Sequence, residues 1–221
     1  MHCADLGIGA DWLGQLMVFM LDWMNGNTRK ERINDLWGRI QALYPNYPGG
    51  SRLDNLTEKM LSLDKPSPKL KAYAAECRGL VPIMSTLASQ LLDATDPHSV
   101  QATVLHCTME LSQCYACLSS STLFRRDLLG QHSKRFCTLW VTLEGLEGGI
   151  FRIKPKMHLF QELCEMELPT SPTYTWTYRD EDFGGSLVAM GRRRGGHKGA
   201  GTLGRQVLRK FCSRHKLPDL S

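Results

Sequence analysis

The sequence predicts a mainly α fold with a small β element, and three observations carry that prediction. Apolar residues recur at three- and four-residue intervals through most of the first 167 positions, the spacing of helices with one buried face. Thr28-Arg29-Lys30-Glu31 has the form of a capping box, in which a hydroxyl and a carboxylate satisfy free amides at a helix start. Strand character is confined to Tyr174-Thr175-Trp176-Thr177-Tyr178, with a weaker candidate at 150–153.

The elements follow in order. The apolar segment 11–25 ends at Gly26, a residue suited to closing a helix. Thr28 opens a helix whose Ile33, Leu36, Trp37, Ile40, Leu43 and Tyr44 share one face, so Leu36 and Trp37 are expected to be buried. Residues 45–50, with two prolines and two glycines, read as loop. A short helix near 56–63 and a loop at 65–68 precede a helix over 69–94. Pro82 should kink or break that helix, because proline removes one ladder bond and clashes with the preceding turn. Helices at 98–119, 123–129 and 131–147 form a helical middle ended by Gly148-Gly149, and 156–167 form another entered at Pro155. Two last helices, 181–193 and 201–214, flank the glycine-rich 195–199. No internal repeat or sustained heptad is present.

At 221 residues, 42% hydrophobic and 22% charged, the chain has the composition of an ordinary globular protein. The net charge of +5 is mild, but its distribution is uneven. No acidic residue occurs over 183–218, where Arg192, Arg193, Arg194, Lys198, Arg205, Arg209, Lys210, Arg214 and Lys216 give nine positive charges. A block of one sign attracts polyanions, of which nucleic acid is the commonest. The first residues lack a basic region, and Asp5 interrupts what a signal peptide would keep apolar. Six of the eight cysteines lie within helical patterns, where a free thiol behaves as a small apolar group. The thiols therefore read as reduced, and the expected compartment is nucleus or cytoplasm. The apolar run 12–24 contains Gly14, Gln15 and Asp22 and is too short to span a bilayer, so no membrane partner is expected.

Met1 to Gly9 with Leu13-Gly14, Pro68 to Arg78, Ile153 to Leu159 and Trp176 to Phe183, in that order, resemble parts of large eukaryotic cut-and-paste transposases of the CACTA and hAT type. Met1-His2-Cys3-Ala4-Asp5-Leu6-Gly7-Ile8-Gly9, followed by Leu13-Gly14, resembles a stretch in which a strand ends in aspartate and is followed by Met-His, a Leu-Gly pair and a helix. Ile153-Lys154-Pro155-Lys156-Met157-His158-Leu159 resembles a late Lys-Pro-Lys-x-His-x-Leu stretch. Pro68-Lys69-Leu70-Lys71 with Ala75-Glu76-Cys77-Arg78 is similar to the helical middle of such proteins, and Trp176 to Phe183 falls where they carry their last acidic residue. The resemblance implies an RNase H-like core split by a helical insertion, in which three carboxylates hold two divalent ions. It places 1–26 as a core remnant of strand end plus helix, 27–149 as the insertion, 150–193 as a C-terminal core remnant and 194–221 as a basic helix or tail. The first two carboxylates are expected upstream of Met1, so the chain reads as a fragment without independent catalysis. No cofactor is then expected, magnesium entering only if an upstream transposase-like chain completes the site.

The residues left to carry chemistry are few. Glu181, with Asp182 or Asp180 beside it, is the remnant acid that the resemblance implies; an acidic first turn complementing a helix dipole is the plainer reading. His2 and His158 match family histidines and read as buried, hydrogen-bonded structural groups. Cys114-x-x-Cys117, with His106 and Cys107, has zinc-ligand spacing. Structural zinc needs four converging ligands, however, and the interleaved Met109, Leu111, Tyr115 and Leu118 favour a packed helix. Nucleic-acid contact is assigned to Arg192, Arg193, Arg194, Lys198, Arg205, Arg209 and Lys210, through phosphates rather than bases. The rival reading is a helical protein-interaction module with no nucleic-acid role.

Overall fold

The computed structural model describes residues 3–48, 51–119, 124–146, 149–167 and 171, all within one compact unit, Met1–Tyr174. Six α-helices make up most of it: α1 (Ala10–Met20), α2 (Arg29–Leu43), α3 (Ala74–Leu91), α4 (Val100–Ser119), α5 (Arg126–Glu144) and α6 (Lys156–Glu165). A π-helical turn, Ala4–Gly9, runs directly into α1, with the Ile8 amide bonded to the Cys3 carbonyl at 2.9 Å. Helices α4 and α5 form the most extensive pair; α3 flanks α4, and α6 flanks α5. No helix among the described residues is long and apolar enough to cross a membrane.

Every residue of α1 from Ala10 to Met17 is buried, so this helix is surrounded rather than laid on a surface. Its Trp12 is the centre of an aromatic cluster. Phe136 and Trp140 of α5 meet it edge-on, with ring centroids at 5.6 and 5.3 Å, while Phe151 stacks on it at 5.3 Å. Phe160 of α6 extends the cluster by packing edge-on against Phe136. Such aromatic pairs add about 0.5–1.5 kcal/mol each to what burial alone supplies.

The turn between α1 and α2 is held largely by side chains of α2. Glu31 Oε2 accepts from the backbone amides of Asn27 and Thr28, and Thr28 Oγ1 accepts from the Glu31 amide, completing the expected capping box. Those amides hold the Glu31 carboxyl below its ordinary range. Arg32 Nε donates to the Gly26 carbonyl, and Asp35 accepts from the Asn25 amide. Gly26 has φ +137°, which a residue with Cβ rarely adopts. Beyond the cap, Ile33, Leu36, Ile40 and Tyr44 are buried, but Trp37 is only half-buried, its ring edge-on to Tyr44 at 6.0 Å. Successive helical residues turn by about 100°, so centring the stripe on Leu36 moves Trp37 to its flank.

Several expectations are corrected. No strand occurs among the described residues, and the expected core remnant of strand end plus helix is π turn plus helix over residues 4–20. The 150–153 segment has no regular structure and pairs with no strand; the Gln15 side chain of α1 bonds both backbone groups of Arg152. The second candidate, 174–178, lies outside the described residues. The expected helix at 56–63 is reduced to the 3₁₀ turn Glu58–Met60, and the helix expected from residue 69 starts at Ala74. Lys69, Leu70 and Lys71 donate their amides to the Leu61, Ala10 and Met60 carbonyls respectively. The helix opens at Ala74, where the Glu76 carboxylate accepts from the backbone amide of Tyr73, itself in an extended conformation. Helix α3 runs unbroken through Pro82, whose neighbours Leu80, Val81, Ile83 and Met84 are all buried. Tertiary packing there outweighs a local penalty of about 3 kcal/mol. The two helices expected at 123–129 and 131–147 are one, α5, through Gly130.

Gly14 is where segment 67–71 lies against α1. A Cβ at Gly14 would come within 2.5 Å of Leu70 N and Lys69 Cα, which are backbone atoms of that segment. Gly38, on the exposed side of α2, would meet nothing within 4 Å. Urea titration should therefore show Gly14→Ala losing about 3 kcal/mol to overpacking, and Gly38→Ala gaining about 1 kcal/mol from helix propensity. Equal effects at the two positions would refute the close contact.

Candidate functional site

Two polar side chains one turn apart on α1 are buried where no water reaches them. Asp11 is 1% exposed and Gln15 fully buried. Burying such groups costs several kcal/mol unless they are matched, and connectors from distant parts of the chain match them. Gln15 Oε1 accepts from the Arg152 amide at 3.0 Å and from Trp140 Nε1 at 3.3 Å. Its Nε2 donates to the Arg152 carbonyl at 3.0 Å and to Ser67 Oγ at 3.3 Å. The Gln15 amide thus engages both backbone groups of Arg152, as a partner strand would.

Asp11 Oδ1 receives two ammonium groups, Lys154 Nζ at 2.7 Å and Lys69 Nζ at 3.4 Å. Lys69 Nζ also donates to the Leu6 carbonyl in the π turn at 2.6 Å. Nearby, the Cys3 thiol donates to the Lys156 carbonyl at 3.4 Å, tying the opening segment to the start of α6. Two ammoniums on one carboxylate leave the cluster with an excess positive charge, which repels a metal cation. The arrangement is an anchor for connectors rather than a metal centre. Asp11, Gln15 and Lys69 were not singled out as site residues from the sequence. Their signal was present, since Asp11 and Gln15 are polar residues four apart in an otherwise apolar run.

The residues of α4 with zinc-ligand spacing do not converge. On α4, His106 is exposed, Cys107 and Cys114 are buried and Cys117 is half-buried. Among the described residues, no three His, Cys, Asp or Glu side chains are placed to hold a metal. Leu111, Tyr115 and Leu118 pack inward as expected, while Met109 is exposed. His158 is not a buried structural group: it is exposed on α6, with Nε2 at 3.1 Å from Glu162 Oε1. Its position two residues into a short surface helix leaves it without a packed neighbour to bury it. His2, Glu181, Asp182, Arg192, Arg193, Arg194, Lys198, Arg205, Arg209 and Lys210 lie outside the described residues.

Burial raises the thiol pKa values across the core. Cys77 and Cys137 are pushed up to about 12, and Cys107, Cys114 and Cys164 also lie well above the ordinary range. Loss of solvation of the thiolate is the main cause at each.

On the opposite side of α1 from its start, a groove of about 590 Å³ opens between the end of α1, the start of α2 and the end of α5. Phe19, Val100 and Leu146 contribute apolar surface, and Asp22, Arg29 and Arg32 contribute charge. Comparison with protein-family models, curated proteins and solved structures found no match to this chain.

Two measurements check the buried groups. Replacing Gln15 with Leu keeps its bulk but strands the Trp140 indole N–H and both backbone groups of Arg152, so urea titration should show a loss of about 3 kcal/mol. A loss under 1 kcal/mol would mean those groups find other partners.

At pH 8, a thiol with pKa about 12 is ionised to roughly one part in ten thousand. Native protein should therefore leave Cys77, Cys107, Cys114, Cys137 and Cys164 unlabelled by a thiol reagent, and urea should release them. Because the folded pKa values are raised, their stabilising contribution is complete below the ordinary value of 9.0 and is lost as pH climbs toward 12. The urea midpoint should fall across that window; a midpoint that rose there would contradict the burial of these thiols.

Proposed function

We propose that this chain is a transposase-derived helical protein, with no reaction of its own, that contacts nucleic-acid phosphates through its basic C-terminal segment. The observation that carries the reading is the division of charge. Residues 1–182 hold 18 basic and 21 acidic side chains, whereas 183–221 hold nine basic and one acidic. Attraction to a polyanion is therefore concentrated in Arg192, Arg193, Arg194, Lys198, Arg205, Arg209, Lys210 and their neighbours, while the helical body is slightly acidic.

The transposase-like part of the reading has separate support. Leu13-Gly14, Pro68-Lys69 and Lys154-Pro155-Lys156, the pieces that resemble the family, lie far apart in sequence. They meet around Asp11: Lys69 and Lys154 bind its carboxylate, and Lys69 lies against Gly14.

A second reading, a protein-interaction module, draws on apolar side chains left in solvent. Tyr73 is 80% exposed, Leu159 53% and Val141 52%. They stand at the N-cap of α3, on α6 and on α5 respectively, and singly exposed apolar groups are normal. The charge division is the stronger observation.

The test is a fluorescence-anisotropy titration of the full chain with labelled duplex DNA at several salt concentrations. If four to six charges are engaged, log K should fall with log salt at a slope of roughly −4 to −5, about equally for different duplex sequences. Replacing Arg192, Arg193 and Arg194 by Ala should flatten the slope by up to about 3. Absence of binding at low salt, or an unchanged slope in the triple variant, would exclude this role and put the interaction module first.

A further inference from the structure

The groove beside α1 has features that the packing of the core does not require. Its accessible apolar side begins with the half-buried Val18 and Phe19 of α1, while Leu143 of α5 and Phe151 of the connector border it as buried core residues. Val100 and Leu146, also lining it, remain 42% and 40% exposed, so this surface is left open. Its polar side is unevenly charged. Asp22, the one carboxylate among the described lining residues, pairs with Arg32 at 3.6 Å. Arg32 is further committed through Nε to the Gly26 carbonyl. Arg29 has no ion pair or hydrogen bond among the described residues, so the lining carries one unmatched positive charge.

We propose that this groove is a binding site for an amphipathic small-molecule anion, an apolar chain or ring system bearing one carboxylate. The apolar body lies on Phe19, Val100 and Leu146, and the carboxylate takes the Arg29 guanidinium, which is shaped for two parallel hydrogen bonds to that group. A concavity of about 590 Å³ is of the size that encloses small ligands, whereas a protein partner generally needs a broad patch. A cationic ligand is disfavoured because Asp22 is already neutralised and Arg29 repels it. The site is independent of the basic C-terminal segment, so its failure and the failure of nucleic-acid binding are separate results.

The test is isothermal titration of the full chain with three probes that share a ten-carbon chain: decanoate, decanol and decylammonium, each below its aggregation concentration. Decanoate should bind with one-to-one stoichiometry and about tenfold more tightly than decanol, the gain expected of a hydrogen-bonded charge pair, and decylammonium should bind most weakly. Arg29→Gln should bring decanoate to the affinity of decanol and leave decanol unchanged. Val100→Trp, placed on an already exposed rim position, should narrow the groove and weaken both, while circular dichroism reports that the fold is intact. Equal binding of all three probes, or a decanoate preference that survives Arg29→Gln, would overturn the proposal. So would saturable binding unaffected by Val100→Trp, which would put the ligand elsewhere, or no binding of any probe.

Discussion

A helix enclosed on every side can carry a carboxylate and an amide only if the surrounding chain supplies their partners. Asp11 and Gln15 impose that condition on this protein. The partners come from residues 67–69 and 152–154, more than fifty and more than a hundred positions away. Both stretches are connectors with little regular structure, and a connector whose backbone groups face a core is costly unless they are bonded. The Gln15 amide and Asp11 Oδ1 thus meet partners on both stretches.

Four neighbouring positions of α1 divide the work. Asp11 gathers two lysines, Trp12 supplies the aromatic centre, Gly14 lets the 67–71 backbone approach, and Gln15 pairs with Arg152. The face of α1 that is polar for its connectors is adjacent to the face that is aromatic for α5. Breaking one contact should therefore disturb others, since residues sharing partners are not energetically independent. The buried thiols on α3, α4, α5 and α6 belong to the same packed interior. Their raised pKa values are a consequence of that packing and give no sign of reactivity.

Asp11, a carboxylate buried in the core, is engaged by two ammoniums and serves the packing of the chain. The proposed ligand sites are instead the strongly basic sequence after residue 182 and the groove in which Arg29 stands unmatched. The two suit different anions: a polyanion bound by charge density, and a small amphipathic carboxylate bound by shape and one guanidinium.

Periodicity and capping chemistry are local, so the helical class, α2 with its Thr28–Glu31 cap, and α4 were legible in the sequence. Leu36 was legible as a core residue, and the charge imbalance could be counted directly. The course of 67–71 along α1 and the irregular run 151–154 were not. Each has backbone groups that bond to residues remote in sequence, which no local window contains. The zinc spacing on α4 looked like a ligand set only while orientation was unknown; on a single helix, His106 and Cys114 face different surroundings. The sequence by itself determined which segments would coil and where charge would gather. Only the tertiary structure decided that Asp11 and Gln15 would be buried, because burial depends on how many neighbours close around α1, and that follows from the packing of the whole chain.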